Sequence, residues 1–114
     1  MEDCIFCRIA EGTTPADVVY RGEGTVFFRD VSPKARVHLL AIPEQHIASL
    51  SDLQETDEAL LGRIIREIPV VAEREGLAEG GYRLICNVGS DAGQAVRHLH
   101  FHILGGESLG PLRC

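Results

Sequence analysis

The sequence predicts an α+β domain: about five strands in one mostly antiparallel sheet, with one long and one short helix. Three observations predict it. Residues 51–75 repeat their apolar side chains at helical spacing, and several short runs rich in β-branched and aromatic residues are punctuated by glycine and proline. Near the C-terminal end, His98-Leu99-His100-Phe101-His102 alternates polar and apolar with the two-residue period of a strand. At 114 residues there is room for one core, so the chain is read as a single domain spanning 1–114.

In chain order, Cys4-Ile5-Phe6-Cys7-Arg8-Ile9-Ala10 has helical apolar spacing and stops at Glu11-Gly12. This is a short helix ended by glycine, with Cys4 and Cys7 on one side. Val18-Val19-Tyr20 and Thr25-Val26-Phe27-Phe28, joined by Gly22-Glu23-Gly24, form a hairpin, and Arg36 to Ile42 is a third strand stopped by Pro43. The long helix follows, with Ser51 as its cap and Asp52 and Glu55 in its first turn. Leu53, Leu60, Leu61, Ile64, Ile65 and Ile68 form its apolar stripe. Pro69 removes a backbone bond inside it and predicts a kink or break near Arg66 to Ile68. After Gly76, Tyr82 to Val88 is a fourth strand, Gly89 to Gln94 a loop, and the histidine run the fifth strand, with its imidazoles on one face and its apolar residues in the core. The long helix covers one face of the sheet, leaving the other for a ligand or partner.

The net charge of −6 and pI near 5.3 argue against binding to a nucleic acid duplex, which needs a cationic stripe. No apolar run approaches the ~20 residues that cross a bilayer, and the opening Met1-Glu2-Asp3-Cys4 has no basic leader, so a cytoplasmic protein without membrane association is expected. Four cysteines, as a Cys4/Cys7 C-x2-C pair, Cys86 and Cys114, suit a reducing compartment and a metal-type pair better than a disulfide framework.

Three of the five histidines share the fifth strand, a concentration that packing does not require. Alternate strand residues stand about 6.6 Å apart, so His98 and His102 are about 13 Å apart, whereas zinc holds nitrogen at about 2.0 Å. The three cannot close on one ion, although two with His38 could. Alternatively, the row serves as nucleophile and proton donor at a phosphorus centre, beside a glycine loop able to bring backbone N–H groups to anionic oxygens.

Gly93-Gln94-Ala95-Val96-Arg97-His98-Leu99-His100-Phe101-His102-Ile103-Leu104-Gly105-Gly106 resembles the signature of the histidine triad (HIT) family, and its trailing Leu-Gly-Gly is similar to the Hint branch of nucleoside phosphoramidases. The likeness extends to Ile5-Phe6-Cys7-Arg8-Ile9, to Phe28 through Pro33, to His38 through Pro43 with His46, and to Gly81 through Asp91. The resemblance implies a HIT-like domain, a homodimer whose sheets join into one, and an AMP-like purine nucleotide in each subunit. It implies hydrolysis of purine nucleoside 5′-phosphoramidates or related adenylated compounds, with dinucleoside polyphosphate hydrolysis, nucleotidyl transfer or nucleotide binding with little turnover as alternatives.

Residue by residue, the resemblance makes His100 the nucleophile that becomes nucleotidylated and His102 the partner of the phosphate and leaving amine. His98 and His38 complete the polar surround. Asp30 would hold the ribose, Asn87, Gly93, Gln94 and Val96 would line the phosphate, Ala95 would stand at the nucleotide near the leaving group, and Ile5, Phe6, Ile9, Phe28, Val31 and Leu40 would receive the base. No organic cofactor is implied. A structural zinc, as in several relatives with Cys-x-x-Cys, would take Cys4, Cys7, His46 and His98. Two departures bear on specificity: Ala95 stands where many of the branch carry a hydroxyl, and the tail from Glu107 to Cys114 lacks the tryptophan of some relatives.

Overall fold

The structure, a computed structural model, describes residues 3–112, so Cys114 lies outside the described residues. The elements are α1 (Ile5–Glu11), β1 (Val18–Arg21), β2 (Thr25–Arg29), β3 (Val37–Pro43), α2 (Glu58–Arg74), β4 (Tyr82–Ile85) and β5 (Phe101–Gly105). The strands lie in the order β1-β2-β3-β5-β4, every neighbouring pair antiparallel, which agrees with the α+β expectation.

Alternation along the strands builds two cores. Phe27, Leu39, Ala41, Phe101 and Ile103 point to one face, where Ile64, Ile68, Val71 and Ala72 of α2 close over them. Val26, Phe28, Leu40 and Ile42 point to the other and meet Phe6 and Ile9 of α1. The second face is therefore partly covered by α1, and its open part carries His38 and His102. Gly12 ends α1 at φ 85°, a left-handed conformation that glycine adopts at little cost.

Four expectations need correction. The long helix starts at Glu58, not near Ser51, because two short 3-10 turns, Leu50–Asp52 and Glu55–Asp57, come first. Ser49 accepts the Ser51 N–H at 3.1 Å, and Asp57 accepts the Gln54 N–H at 3.0 Å. These side chains satisfy the local amides and close separate turns in place of a continuous helix. Secondly, of the kink or break expected at Pro69 the break does not occur, since α2 continues through it to Arg74. Pro69 and Ile65, whose carbonyl loses its helical donor, both lie on the exposed side, where water can serve that oxygen.

Thirdly, the fifth strand begins at Phe101, so His98 and His100 precede it and only His102 stands on it. In the observed register Ala41 faces Phe101, and the next partner on the same edge would be Pro43 opposite Leu99. Proline has no N–H to give. Leu99 N–H donates instead to the Ile47 carbonyl at 2.6 Å, which turns the chain away from the ladder. Finally, β4 stops at Ile85, paired with His102 next to the start of β5, rather than reaching Val88.

Candidate active site

The bend ahead of β5 gives the three imidazoles different neighbours. His102, on β5, lies beside His38 on the adjacent β3, with His102 Nδ1 and His38 Nε2 2.9 Å apart. Lys34 N–H donates to His38 Nδ1 at 3.0 Å, so the proton of a neutral His38 is on Nε2. That N–H donates to His102 Nδ1, and His102 must carry its own proton on Nε2. Asp30 Oδ2 lies 3.4 Å from His38 Nε2, while Oδ1 accepts the Ser32 N–H at 2.8 Å.

Burial lowers the His38 pKa, with Asp30 opposing. It also pushes His102 down to about 4, helped by His100 and His38. Both rings are neutral at pH 7. Asp30, Lys34, His38, Ile85, Asn87, His102 and Leu104 line an open cavity of about 290 Å³ on this face. A larger depression, about 650 Å³, lies at the Gly76 to Gly81 and Gly106 to Ser108 end and is lined by no histidine or cysteine.

His100 is buried, and its Nδ1–H donates to the His98 carbonyl at 2.7 Å. A carbonyl only accepts, so the lone pair of a neutral His100 is on Nε2. The Phe6 ring stands edge-on to His100 and His98, with centroids 5.2 and 5.9 Å away, and the His100 and His102 rings are 5.1 Å apart.

His98, fully buried, donates Nε2–H to the Pro43 carbonyl at 2.8 Å, which leaves the lone pair on Nδ1. That atom faces Cys4 Sγ at 3.3 Å and Cys7 Sγ at 3.5 Å, and His46 Nδ1 lies 3.3 Å from Cys7 Sγ. Burial pushes His98 down to about 4 and raises the Cys7 thiol. Cys4, Cys7, His46 and His98 thus form a converging donor set that could hold a metal ion. Among the described residues, His38, His98 and His100 do not form one, because His98 Nδ1 is turned to the sulfurs.

The residues expected around a nucleotide separate into groups. Asp30, His38 and Asn87 line the cavity with His102. Phe6 and Ile9 of α1 are buried together with Phe28 and Leu40 of the sheet, whereas Ile5 is half-exposed and Val31 98% exposed. The Gln94 amide is engaged within its own loop: it accepts Gly89 N–H at 2.9 Å and donates to the Ala48 and Val96 carbonyls at 2.8 and 3.0 Å. Gly93, at φ 81°, makes the turn that precedes it, and Ala95 and Val96 flank an open groove beside Cys4 and Ile5. Sequence reasoning missed the backbone partners of the histidines, Lys34 N–H, Pro43 C=O and His98 C=O. Only the proline next to a strand end hinted at one of them.

Comparison with known proteins now decides the lineage. A family profile described as "Scavenger mRNA decapping enzyme C-term binding" matches residues 3–112. The purine nucleoside phosphoramidase of Escherichia coli K12 is 44% identical over 111 residues, covering 97% of this chain and 93% of the relative. The chain belongs to the histidine triad family. Among solved HIT structures, a histidine triad protein from Clostridium difficile matches with a TM-score of 0.94 at 39% identity, covering 99% of this chain and 98% of that one. A HIT family hydrolase from Legionella pneumophila matches with a TM-score of 0.90 at 46% identity, covering 94% and 96%. This HIT protein is accordingly a hydrolase of the family.

Proposed function

We propose that the chain hydrolyses a purine nucleoside 5′-phosphoramidate or a related adenylated compound by two displacements at the α-phosphorus. The observation that carries the reading is the donation of His100 Nδ1–H to the His98 carbonyl, which leaves Nε2 as a lone-pair nucleophile on a ring 5.1 Å from that of His102, a residue of the cavity. His100 Nε2 attacks phosphorus and the P–N bond breaks, while His102 Nε2–H donates a hydrogen bond to the departing nitrogen, which takes its proton from solvent so that His102 stays neutral. Water then attacks the nucleotidyl-histidine and loses its proton to solvent, and the monophosphate leaves as the lone pair returns to His100. His38 holds His102 in the donating tautomer throughout.

Asp30 and Asn87 border the cavity where ribose and phosphate would lie, Gly93, Ala95 and Val96 would border the phosphate and leaving group, and Gln94 would act by holding their loop. Ile5, Phe6, Ile9, Phe28, Val31 and Leu40 would receive the base. The name of the Escherichia coli relative supports the substrate class. Replacing His100 with alanine should abolish turnover and leave monophosphate binding within a few-fold; retained wild-type turnover would refute the mechanism. Comparing an adenosine phosphoramidate with a diadenosine polyphosphate separates this reading from the family's polyphosphate hydrolases.

Cys4, Cys7, His46 and His98 would hold a structural zinc. Bond lengths of about 2.3 Å to sulfur and 2.0–2.1 Å to nitrogen give a tetrahedral edge of about 3.5 Å, and the sulfur–nitrogen distances here are 3.3, 3.3 and 3.5 Å. The His98 lone pair points at the sulfurs and its other nitrogen is fixed by Pro43, the outer support expected of a ligand histidine. A bound zinc would supply only rigidity to this segment. A homodimer through the β4 edge is supported by the position of β4 at the end of the sheet and by half-exposed Tyr82 and Leu84 on it. A mass near 12.5 kDa in sedimentation, that of one chain, would refute it.

A further inference from the structure

The Cys4/Cys7 pair touches the proposed nucleophile through one residue. His98 Nδ1 is a buried acceptor that faces the two sulfurs, at 3.3 and 3.5 Å, with the His46 ring beside it at 5.1 Å between centroids, and the carbonyl of the same residue receives His100 Nδ1–H at 2.7 Å. A thiol S–H can donate to that nitrogen, and a metal held by the sulfurs can accept its lone pair. A disulfide has neither a proton nor an empty orbital to offer. The pair is otherwise built for oxidation. The two thiols lie three residues apart at the start of α1, their sulfurs within 4.8 Å of each other, and both are free. Cys7 is buried while Cys4 is half-buried at the edge of an open groove of about 470 Å³ formed with Asp3, Ile5, Ala95, Val96 and Arg97.

We propose that Cys4 and Cys7 form a thiol–disulfide site for low-molecular-weight disulfides such as glutathione disulfide, and that closing it withdraws support from His98 and thereby disarms His100. This rests on the reading of His100 as the nucleophile. In the first step Cys4 sulfur, entered from the groove, attacks one sulfur of glutathione disulfide and one glutathione leaves. Cys7 sulfur then attacks Cys4 sulfur, the mixed disulfide breaks, and the second glutathione leaves. The chain loses two hydrogens, the glutathione disulfide gains two, and two glutathione thiols are released.

The closed bond draws the sulfurs to about 2.05 Å and takes both thiol donors from the buried His98 Nδ1, a loss that native interiors avoid unless the ring or its neighbour His46 moves. The ring can gain relief by moving the proton to Nδ1, but Nε2 would then present its lone pair to the Pro43 carbonyl. Either way the His98 backbone must shift, and with it the oxygen that fixes the His100 tautomer. Phe6, set between the two cysteines and edge-on to both imidazoles, couples any displacement of α1 to the same rings. Metal bound at the four donors engages both sulfurs and should protect them.

The test uses the full chain with Cys86→Ala and Cys114→Ser, so that only this pair can titrate. The protein, with and without bound zinc, is equilibrated at graded ratios of glutathione to its disulfide. Three readouts are taken: thiol content with peptide mapping, nitrogen NMR of the imidazoles, and kcat and KM on an adenosine phosphoramidate. The expected result for metal-free protein is a Cys4–Cys7 disulfide, a changed His98 or His100 nitrogen pattern, and a kcat lower by at least about tenfold with little change in KM. Reduction should reverse all three, zinc should delay them, and C4S/C7S should not respond to the ratio. A disulfide that forms with unchanged kcat and imidazole spectrum overturns the coupling, and no disulfide at any ratio overturns the site. If the imidazole pattern responds but the reduced protein forms no nucleotidyl-His100, the catalytic reading fails and the thiol coupling stands.

Discussion

Replacing His38 with leucine keeps roughly the same bulk and removes the one donor to His102 Nδ1. In the structure that donor is fixed from behind: Lys34 N–H occupies His38 Nδ1 at 3.0 Å, so His38 Nε2–H faces His102 at 2.9 Å. A neutral hydrogen bond contributes about 0.5–1.5 kcal/mol net. If all of it serves to hold His102 in the donating tautomer and orientation, its loss costs about two- to thirteen-fold in kcat, at 1.36 kcal/mol per tenfold. Removing the donor itself, as in His102→Ala, should cost about 10²–10³-fold. The assay is single-turnover hydrolysis of an adenosine phosphoramidate by the two single variants and the double. Because the His38 N–H is assigned its effect on turnover through His102, the His38→Leu loss in single-turnover rate should vanish in the His102→Ala background. Nitrogen NMR of His38→Leu should show His102 divided between tautomers. Full additivity of the two losses, or an unchanged His102 spectrum, would refute the reasoning.

Acid should weaken the fold through the same ring. His102 titrates near 4 when folded against an ordinary 6.5, so between those values the unfolded chain binds more protons and stability falls as pH drops. Its contribution is fully present above about pH 6.5, and a melting temperature flat from pH 6.5 to 4 would contradict it. Phe6→Ala should cost about 3–5 kcal/mol in denaturant unfolding, since the buried ring packs on Phe28, His98 and His100, and a loss below about 1 kcal/mol would be inconsistent with that packing. Gln94→Glu turns two donations, to Ala48 and Val96 carbonyls, into oxygen–oxygen contacts. A loss of about 1–3 kcal/mol is expected, and an unchanged unfolding midpoint would argue against the amide as the lock of that loop. Protein purified without chelator should carry about one zinc per chain by elemental analysis, lost in C4S/C7S. Zinc absent, or retained by that variant, would remove the four-ligand reading.

The fold class was legible in the sequence because periodicity and punctuation agree along most of the chain. The α1 stop at Gly12, the Val18 to Arg29 hairpin and the β3 limit at Pro43 all follow from local chemistry. The helix start was not legible, because Ser49 and Asp57 accept the main-chain N–H groups of Ser51 and Gln54, and Asp52 the Ser49 hydroxyl, in turns that the apolar pattern does not register. Nor was the departure of His98 and His100 from the strand, since it depends on Pro43 lying opposite Leu99, a tertiary pairing. The alternating histidines suggested one common chemical face. The structure divides them instead: His102 pairs with His38, His100 is held by a backbone carbonyl, and His98 turns to two thiols more than ninety residues away in sequence. Which residues are chemical was readable from type and spacing. Which nitrogen of each ring carries the proton was not, because Lys34, Pro43 and His98 fix it through main-chain atoms that every residue possesses.

The central claim is that His100 Nε2 becomes covalently bonded to the nucleotide. Rapid acid-free quenching of a turnover with α-³²P-labelled adenosine phosphoramidate, followed by peptide mapping, tests it directly. Label should form on His100 and decay at rates compatible with kcat, with none in H100A. Label on His98 or His102, or full turnover with no labelled histidine at any time, would contradict it.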